Sequence, residues 1–120
     1  MTGSTPDVLS ESEVLSRLRS KRGQTGYRAM FSSWLGGIVT DPALMQIPLD
    51  DHLVHRGHGV FDTCTLSDGR LYRLGIHVDR LLQSASLARI EHSWTKEDII
   101  QMVVDTASKT GIRDGAVRYW

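Results

Sequence analysis

The sequence predicts an α+β domain in which two helices pack on a mainly antiparallel sheet. Three observations carry this. Hairpin signals crowd the stretch from residue 30 to 74, two segments of helical periodicity follow, and a β-branched and aromatic run comes last. At 120 residues the chain has the length of one domain, and a chain of that size buries roughly two thirds of its unfolded surface.

The elements follow in order. Residues 1–27 are rich in Ser, Thr, Gly, Arg and Glu and form a polar extension. Within it Ser10 and Glu13 have capping-box spacing. Val14, Leu15 and Leu18 follow at helical intervals, so a short amphipathic helix that Gly23 ends and that docks loosely is expected. The domain proper spans residues 28–120. Met30–Leu35 and Ile38–Val39 flank Gly36-Gly37, a hairpin turn signal. Asp41-Pro42 marks a turn, Ile47 is held extended by Pro48, and Asp50-Asp51 cap a helical turn running to Arg56. Val60–Leu66 and Arg70–Leu74 read as strands around Ser67-Asp68-Gly69. Val78, Leu81, Leu82, Ala85 and Ala88 give residues 76–89 one apolar helical face. Thr95 and Asp98 open a second helix whose Ile99, Ile100, Val103, Val104 and Ala107 face the core, with Gly111 as its C-terminal cap. Ala116–Trp120 is a strand in which Val117 and Tyr119 share the inner face, leaving Arg118 on the other. The chain ends inside this strand, as a cut sequence would.

Composition removes several function classes. Lys plus Arg and Asp plus Glu stand at 14 each, which leaves no surplus of cations for a nucleic-acid surface or a polybasic membrane patch. No apolar run approaches the ~18 residues of a membrane span. Cys64 is the single cysteine, so no intrachain disulfide asks for an oxidising compartment. Met1–Pro6 has no apolar signal region and is poor in Arg. The expectation is an intracellular protein, cytoplasmic or plastid.

Two segments hold the chemistry-bearing residues. The first is Asp50–Thr63, where Gly57 and Gly59 allow close backbone approach at the start of a strand. His52, His55 and His58 recur every three residues, the spacing of a metal-binding helix face. The two glycines would break that helix and no Cys or Glu completes a ligand set, so no metal is expected and the histidines read as turn residues. The second is Leu74–Ala85, where Arg80 lies roughly opposite the apolar face. It is either an exposed arginine or a cation aimed at an anion beneath a covering domain.

Together the segments resemble the class IV (fold type IV) pyridoxal-phosphate (PLP) aminotransferases, which include D-amino-acid and branched-chain aminotransferases and aminodeoxychorismate lyase. The family pattern G-x-G-V-[FY]-[ED], a D-G turn and H-x-x-R-L appears as Gly57–Asp62, Asp68-Gly69 and His77–Leu81, followed by Ser84-Ala85. The run His55–Thr63, with Arg118-Tyr119-Trp120, is most similar to the plant and algal D-amino-acid aminotransferase-like branch. The resemblance covers residues 28 to 120.

It implies the small N-terminal domain of that fold and a PLP-dependent transfer of an amino group between an amino acid, of D- or branched-chain type, and a 2-oxo acid. It further implies that Arg80 binds the cofactor phosphate, that Phe61 lines the substrate pocket, and that Arg118 and Arg56 are candidates for a substrate carboxylate. Apart from that resemblance, Arg118 would be a strand residue facing solvent. Family members are usually homodimers. Their Schiff-base lysine lies in a C-terminal domain that this sequence lacks; Lys21, Lys96 and Lys109 do not match it, so no catalytic residue is assigned and the chain alone is expected to be inactive. Asp62 stands where Glu is commoner, and Phe61 where bacterial D-amino-acid enzymes carry Tyr. Two alternatives remain: aminodeoxychorismate lyase, which eliminates pyruvate with the same cofactor, and a stand-alone non-catalytic binding or dimerisation domain.

Overall fold

The structure, a computed structural model, describes residues 3–120; Met1 and Thr2, the start of the N-terminal stretch read above, lie outside the described residues. Helix α1 (Glu11–Arg22) opens on a reciprocal cap, with Glu13 N–H donating to Ser10 Oγ and Ser10 N–H to Glu13 Oε1, both at 3.2 Å. The helix does not behave as amphipathic: none of its residues is buried, Val14 is exposed, and Leu15 and Leu18 are only half-buried. Arg19 Nε stands 3.7 Å from Asp41 Oδ2, a surface ion pair that adds little.

Strands β1 (Met30–Ser32) and β2 (Gly37–Val39) form a separate antiparallel hairpin. Its turn sits one residue earlier than the glycine pair suggested. Ser32 pairs with Gly37, so Gly37 belongs to the strand and Gly36 alone takes a positive φ of 75°. The Ser32 hydroxyl, accepting from Leu35 N–H at 3.1 Å, stabilises the longer loop. A single 3-10 turn (Pro42–Leu44) follows, then α2 (His52–His55), capped where Asp51 accepts from Leu53 N–H at 2.9 Å.

The second sheet is antiparallel, with β3 (Asp62–Ser67) central between β4 (Arg70–Leu71) and β5 (Gly115–Tyr119). Asp68 and Gly69, at φ 49° and 74°, make the two-residue turn from β3 to β4. The turn is tied to the far end of the domain: Gly69 N–H donates to Arg113 O and Arg113 Nη2 lies 2.6 Å from Asp68 Oδ1. β4 is shorter than expected. Arg73 turns left-handed at φ 53° and Leu74 already opens α3 (Leu74–Leu87). α4 (Lys96–Ser108) begins at the Thr95–Asp98 capping box.

The core lies where α3 and α4 cover β3 and β5. Cys64 and Val78 are fully buried and pack with Leu74 and Val103, ringed by Leu71, Leu82, Ile99, Ile100, Val117 and Tyr119. On α4, Val104 is exposed rather than inward, whereas Thr106 is buried. That hydroxyl is satisfied by donating back to Met102 O at 2.6 Å, which is why a polar residue is tolerated there. Among the described residues, no helix is long and apolar enough to cross a membrane.

Candidate functional site

Where β3 begins, Asp62 faces Tyr119 across the sheet, and α3 lies against the same strand. The carboxylate of Asp62 is 11% exposed and has three polar neighbours. Thr63 N–H donates to Oδ1 at 2.7 Å, His77 Nδ1 lies 3.2 Å from that same oxygen, and Arg80 Nε lies 3.4 Å from Oδ2. Burial pushes the carboxyl pKa up. The Thr63 N–H, the His77 ring and the Arg80 charge outweigh burial and hold it below the ordinary 3.8.

The helix makes this convergence possible. His77 and Arg80 are three residues apart, hence on one side of α3, while Val78 and Leu81 turn into the core. Arg80 is anchored at one end only. Its side chain is 64% exposed, and among the described residues Asp62 is its one polar contact.

Phe61, immediately before Asp62, is exposed, and Arg118 Cζ lies 6.0 Å from its ring centre. Arg118 is exposed on β5 opposite Thr63, while Val117 and Tyr119 pack inward, as strand alternation requires. Phe61 and Asp62, adjacent in sequence, thus carry one arginine each. Arg56 is not part of this group. It caps the C-terminal end of α2 through its N–H to His52 O, and its side chain is exposed.

The histidines of the first segment do not share one helix, although the ring centres of His52 and His58 stay 6.1 Å apart. His52 and His55 lie on α2, whereas His58 follows it with Nε2 2.7 Å from Ala88 O at the end of α3. No group of three His, Cys, Asp or Glu among the described residues is arranged to hold a metal ion. A groove of about 580 Å³ lined by Leu66, Leu71, Leu74, Val104 and Ile112 lies at the opposite end of β3, away from Arg80.

The sequence alone assigns no role to Asp62 or His77. Their signal was present, with Asp62 directly after the pocket aromatic and His77 one turn before the arginine, but only the fold joins them. Tyr119 adds another feature: its hydroxyl is buried with no hydrogen-bond partner among the described residues. Burial, reinforced by the negative charge of Asp62 and by Cys64, raises its pKa well above the ordinary 10.0, and Arg80 offsets part of this.

No protein-family model matches the chain. It is 52% identical over 113 residues to the chloroplastic D-amino-acid transaminase of Arabidopsis thaliana, covering 94% of this chain and 30% of that protein. It is 33% identical over 85 residues to a Methanocaldococcus jannaschii protein named as a branched-chain-amino-acid aminotransferase, covering 71% and 30% of the two chains. The chain thus spans about 30% of the length of these curated relatives. Among solved structures, the branched-chain amino acid aminotransferase of Escherichia coli matches with a TM-score of 0.61 at 22% identity, over 69% of this chain and 28% of that one. The Thermoproteus uzoniensis branched-chain aminotransferase with norvaline matches at 0.58 and 24%, over 69% and 29%. At such identities the structures establish the fold, which is that of the fold type IV N-terminal domain.

Proposed function

We propose, from the premise that this chain belongs to the class IV aminotransferase family, that it supplies the phosphate-binding and substrate-pocket residues of an enzyme transferring an amino group between an amino acid and a 2-oxo acid. The observation that carries this reading is the anchored but exposed guanidinium of Arg80. The residues present fit PLP. Arg80 has its Nε beside a largely sheltered carboxylate and most of its side chain in the open, so its fork can meet two phosphate oxygens. When bound, PLP supplies the electron sink for the chemistry; the protein supplies binding, orientation and proton transfer.

In this reading residues 28–120 form the small domain and residues 1–27 a peripheral extension. Phe61 lines the substrate pocket as an apolar wall. Arg118 reads a substrate carboxylate, and Arg56 is a second candidate for that task from a pocket edge. A D-amino acid is the favoured donor because the 52%-identical relative is named a D-amino-acid transaminase, and that name also supports a plastid location. The working unit is a homodimer. None of Lys21, Lys96 and Lys109 is assigned the covalent role, and Lys96 is paired with Asp79 at 2.9 Å, so the chain by itself is inactive in this reading.

The test is cofactor affinity in the protein expressed from its whole reading frame. Arg80→Ala should weaken PLP binding by roughly ten- to a hundredfold, the range for one lost charge-assisted contact, and leave pyridoxal, which lacks the phosphate, unaffected. Arg80→Lys should recover part of the loss, since an ammonium keeps the charge without the fork. Equal PLP affinity in wild type and the alanine variant defeats the assignment.

A further inference from the structure

We infer that Asp62 is a positioning residue for cofactor binding: together with His77 it fixes the Nε edge of Arg80 so that the terminal nitrogens of the guanidinium face an incoming phosphate. The inference rests on the reading of Arg80 as the phosphate-binding residue and goes beyond it, because Asp62 itself would not touch the phosphate.

Three features of the structure support it. First, the pair is asymmetric, with the carboxylate 11% exposed and the arginine side chain 64% exposed. A salt bridge kept only for surface stability would have both ends in water, and most such pairs contribute little. Here the fixed end is sheltered and the free end points outward, as preorganisation of a binding group requires. Second, Asp62 is itself held in place. It sits in the β3–β5 ladder opposite Tyr119, and its Oδ1 is occupied by Thr63 N–H and His77, so Oδ2 is left facing Arg80. Third, the 3.4 Å separation from Nε is an ion pair rather than a tight bidentate bond, which leaves the far side of the fork for another anion. An arginine with this much exposure otherwise samples many rotamers, and ordering it on binding would cost affinity.

A carboxylate this close to a phosphate site also repels the phosphate, so the outcome of removing it is informative in sign. In the protein expressed from its whole reading frame, PLP and pyridoxal affinities would be measured for Asp62→Asn, Asp62→Glu, Arg80→Ala and the Asp62→Asn/Arg80→Ala double variant, with melting curves for each. We expect Asp62→Asn to weaken PLP binding on the order of tenfold while leaving pyridoxal unchanged. We expect Asp62→Glu to restore most of the loss, and the double variant to bind PLP no more weakly than Arg80→Ala alone, since residues acting through one contact are not additive. If Arg80→Ala weakens PLP but Asp62→Asn does not, or weakens pyridoxal equally, Asp62 is structural and the inference fails while the role of Arg80 stands. Tighter PLP binding in Asp62→Asn also overturns it, because repulsion would then exceed orientation. If Arg80→Ala itself changes nothing, the underlying reading and the inference fall together. Should Asp62→Asn not fold, the comparison of Asp62→Glu with wild type decides: phosphate-selective binding within a few fold supports positioning, and its loss in a folded variant refutes it.

Discussion

The guanidinium of Arg118 stands over the ring of Phe61, with Cζ 6.0 Å from the centroid, although Phe61 precedes β3 and Arg118 lies on β5. That distance is the outer limit of a cation–π contact, so the pair is held loosely and both groups remain exposed. An arginine so placed contributes little to folding and is available to an anion.

Arg118→Ala should therefore affect substrate binding more than stability. On the proposed function, in the protein expressed from its whole reading frame, KM for dicarboxylic amino donors or acceptors should rise roughly ten- to a hundredfold, for a lost contact of ~1.5–3 kcal/mol. The melting temperature should move by no more than a few degrees. A variant that melts early yet keeps normal KM in its folded fraction would make Arg118 structural.

Asp62 contributes to the acid limb of stability. Its carboxyl pKa is lowered from 3.8 in the folded state, so the folded form favours the anion. The contribution is present above about pH 4 and is lost as pH falls through the lower folded value. Urea midpoints between about pH 5 and 3 should decline less steeply in Asp62→Asn than in wild type. Parallel slopes would show that the contacts with Thr63, His77 and Arg80 do not favour ionisation.

At the alkaline end Tyr119 and Cys64 act with the opposite sign. Both pKa values are raised chiefly by burial, so the folded state keeps their protons. Their contribution is complete below the ordinary values of 9.0 for the thiol and 10.0 for the phenol, and stability falls as pH rises beyond them. Tyr119→Phe should flatten the phenol's share of that fall. At neutral pH it should leave the melting temperature unchanged or raise it, because the hydroxyl it removes is buried without a partner among the described residues. A drop of several degrees would mean that the hydroxyl is satisfied after all.

The β3–β4 turn has a separate vulnerability. Gly69 holds φ at 74°, and a Cβ added there would meet only the Arg113 guanidinium at an ordinary 3.6 Å. The cost of Gly69→Ala is therefore backbone strain, about 1–2 kcal/mol, and Gly69→Asn should cost less because Asn tolerates the left-handed region. Chemical denaturation of the three proteins would check the order. Equal stability of the alanine variant would show that the turn relaxes to another type.

What the sequence determined by itself is local or periodic. The Ser10–Glu13 and Thr95–Asp98 caps close within three residues, the apolar rows of α3 and α4 repeat with the helix, and alternation along β5 separates Val117 and Tyr119 from Arg118. Such features depend on hydrogen bonds and side-chain directions that one segment settles alone. Even there the boundaries moved where competing local bonds intervened, as at Gly37, claimed by the β1–β2 ladder, and at Leu74, taken into α3 by the left-handed turn at Arg73. Family resemblance in the motifs singled out Arg80, Phe61 and Arg118 as residues, without their surroundings. Only the tertiary structure decided that Asp62 meets both His77 and Arg80, that Phe61 lies under Arg118, and that Arg56 stands apart. Those contacts depend on the register of β3 against β5 and on how α3 lies across the sheet. Register and packing angle are set by the fit of the whole core around Cys64 and Val78, a property that no single segment carries.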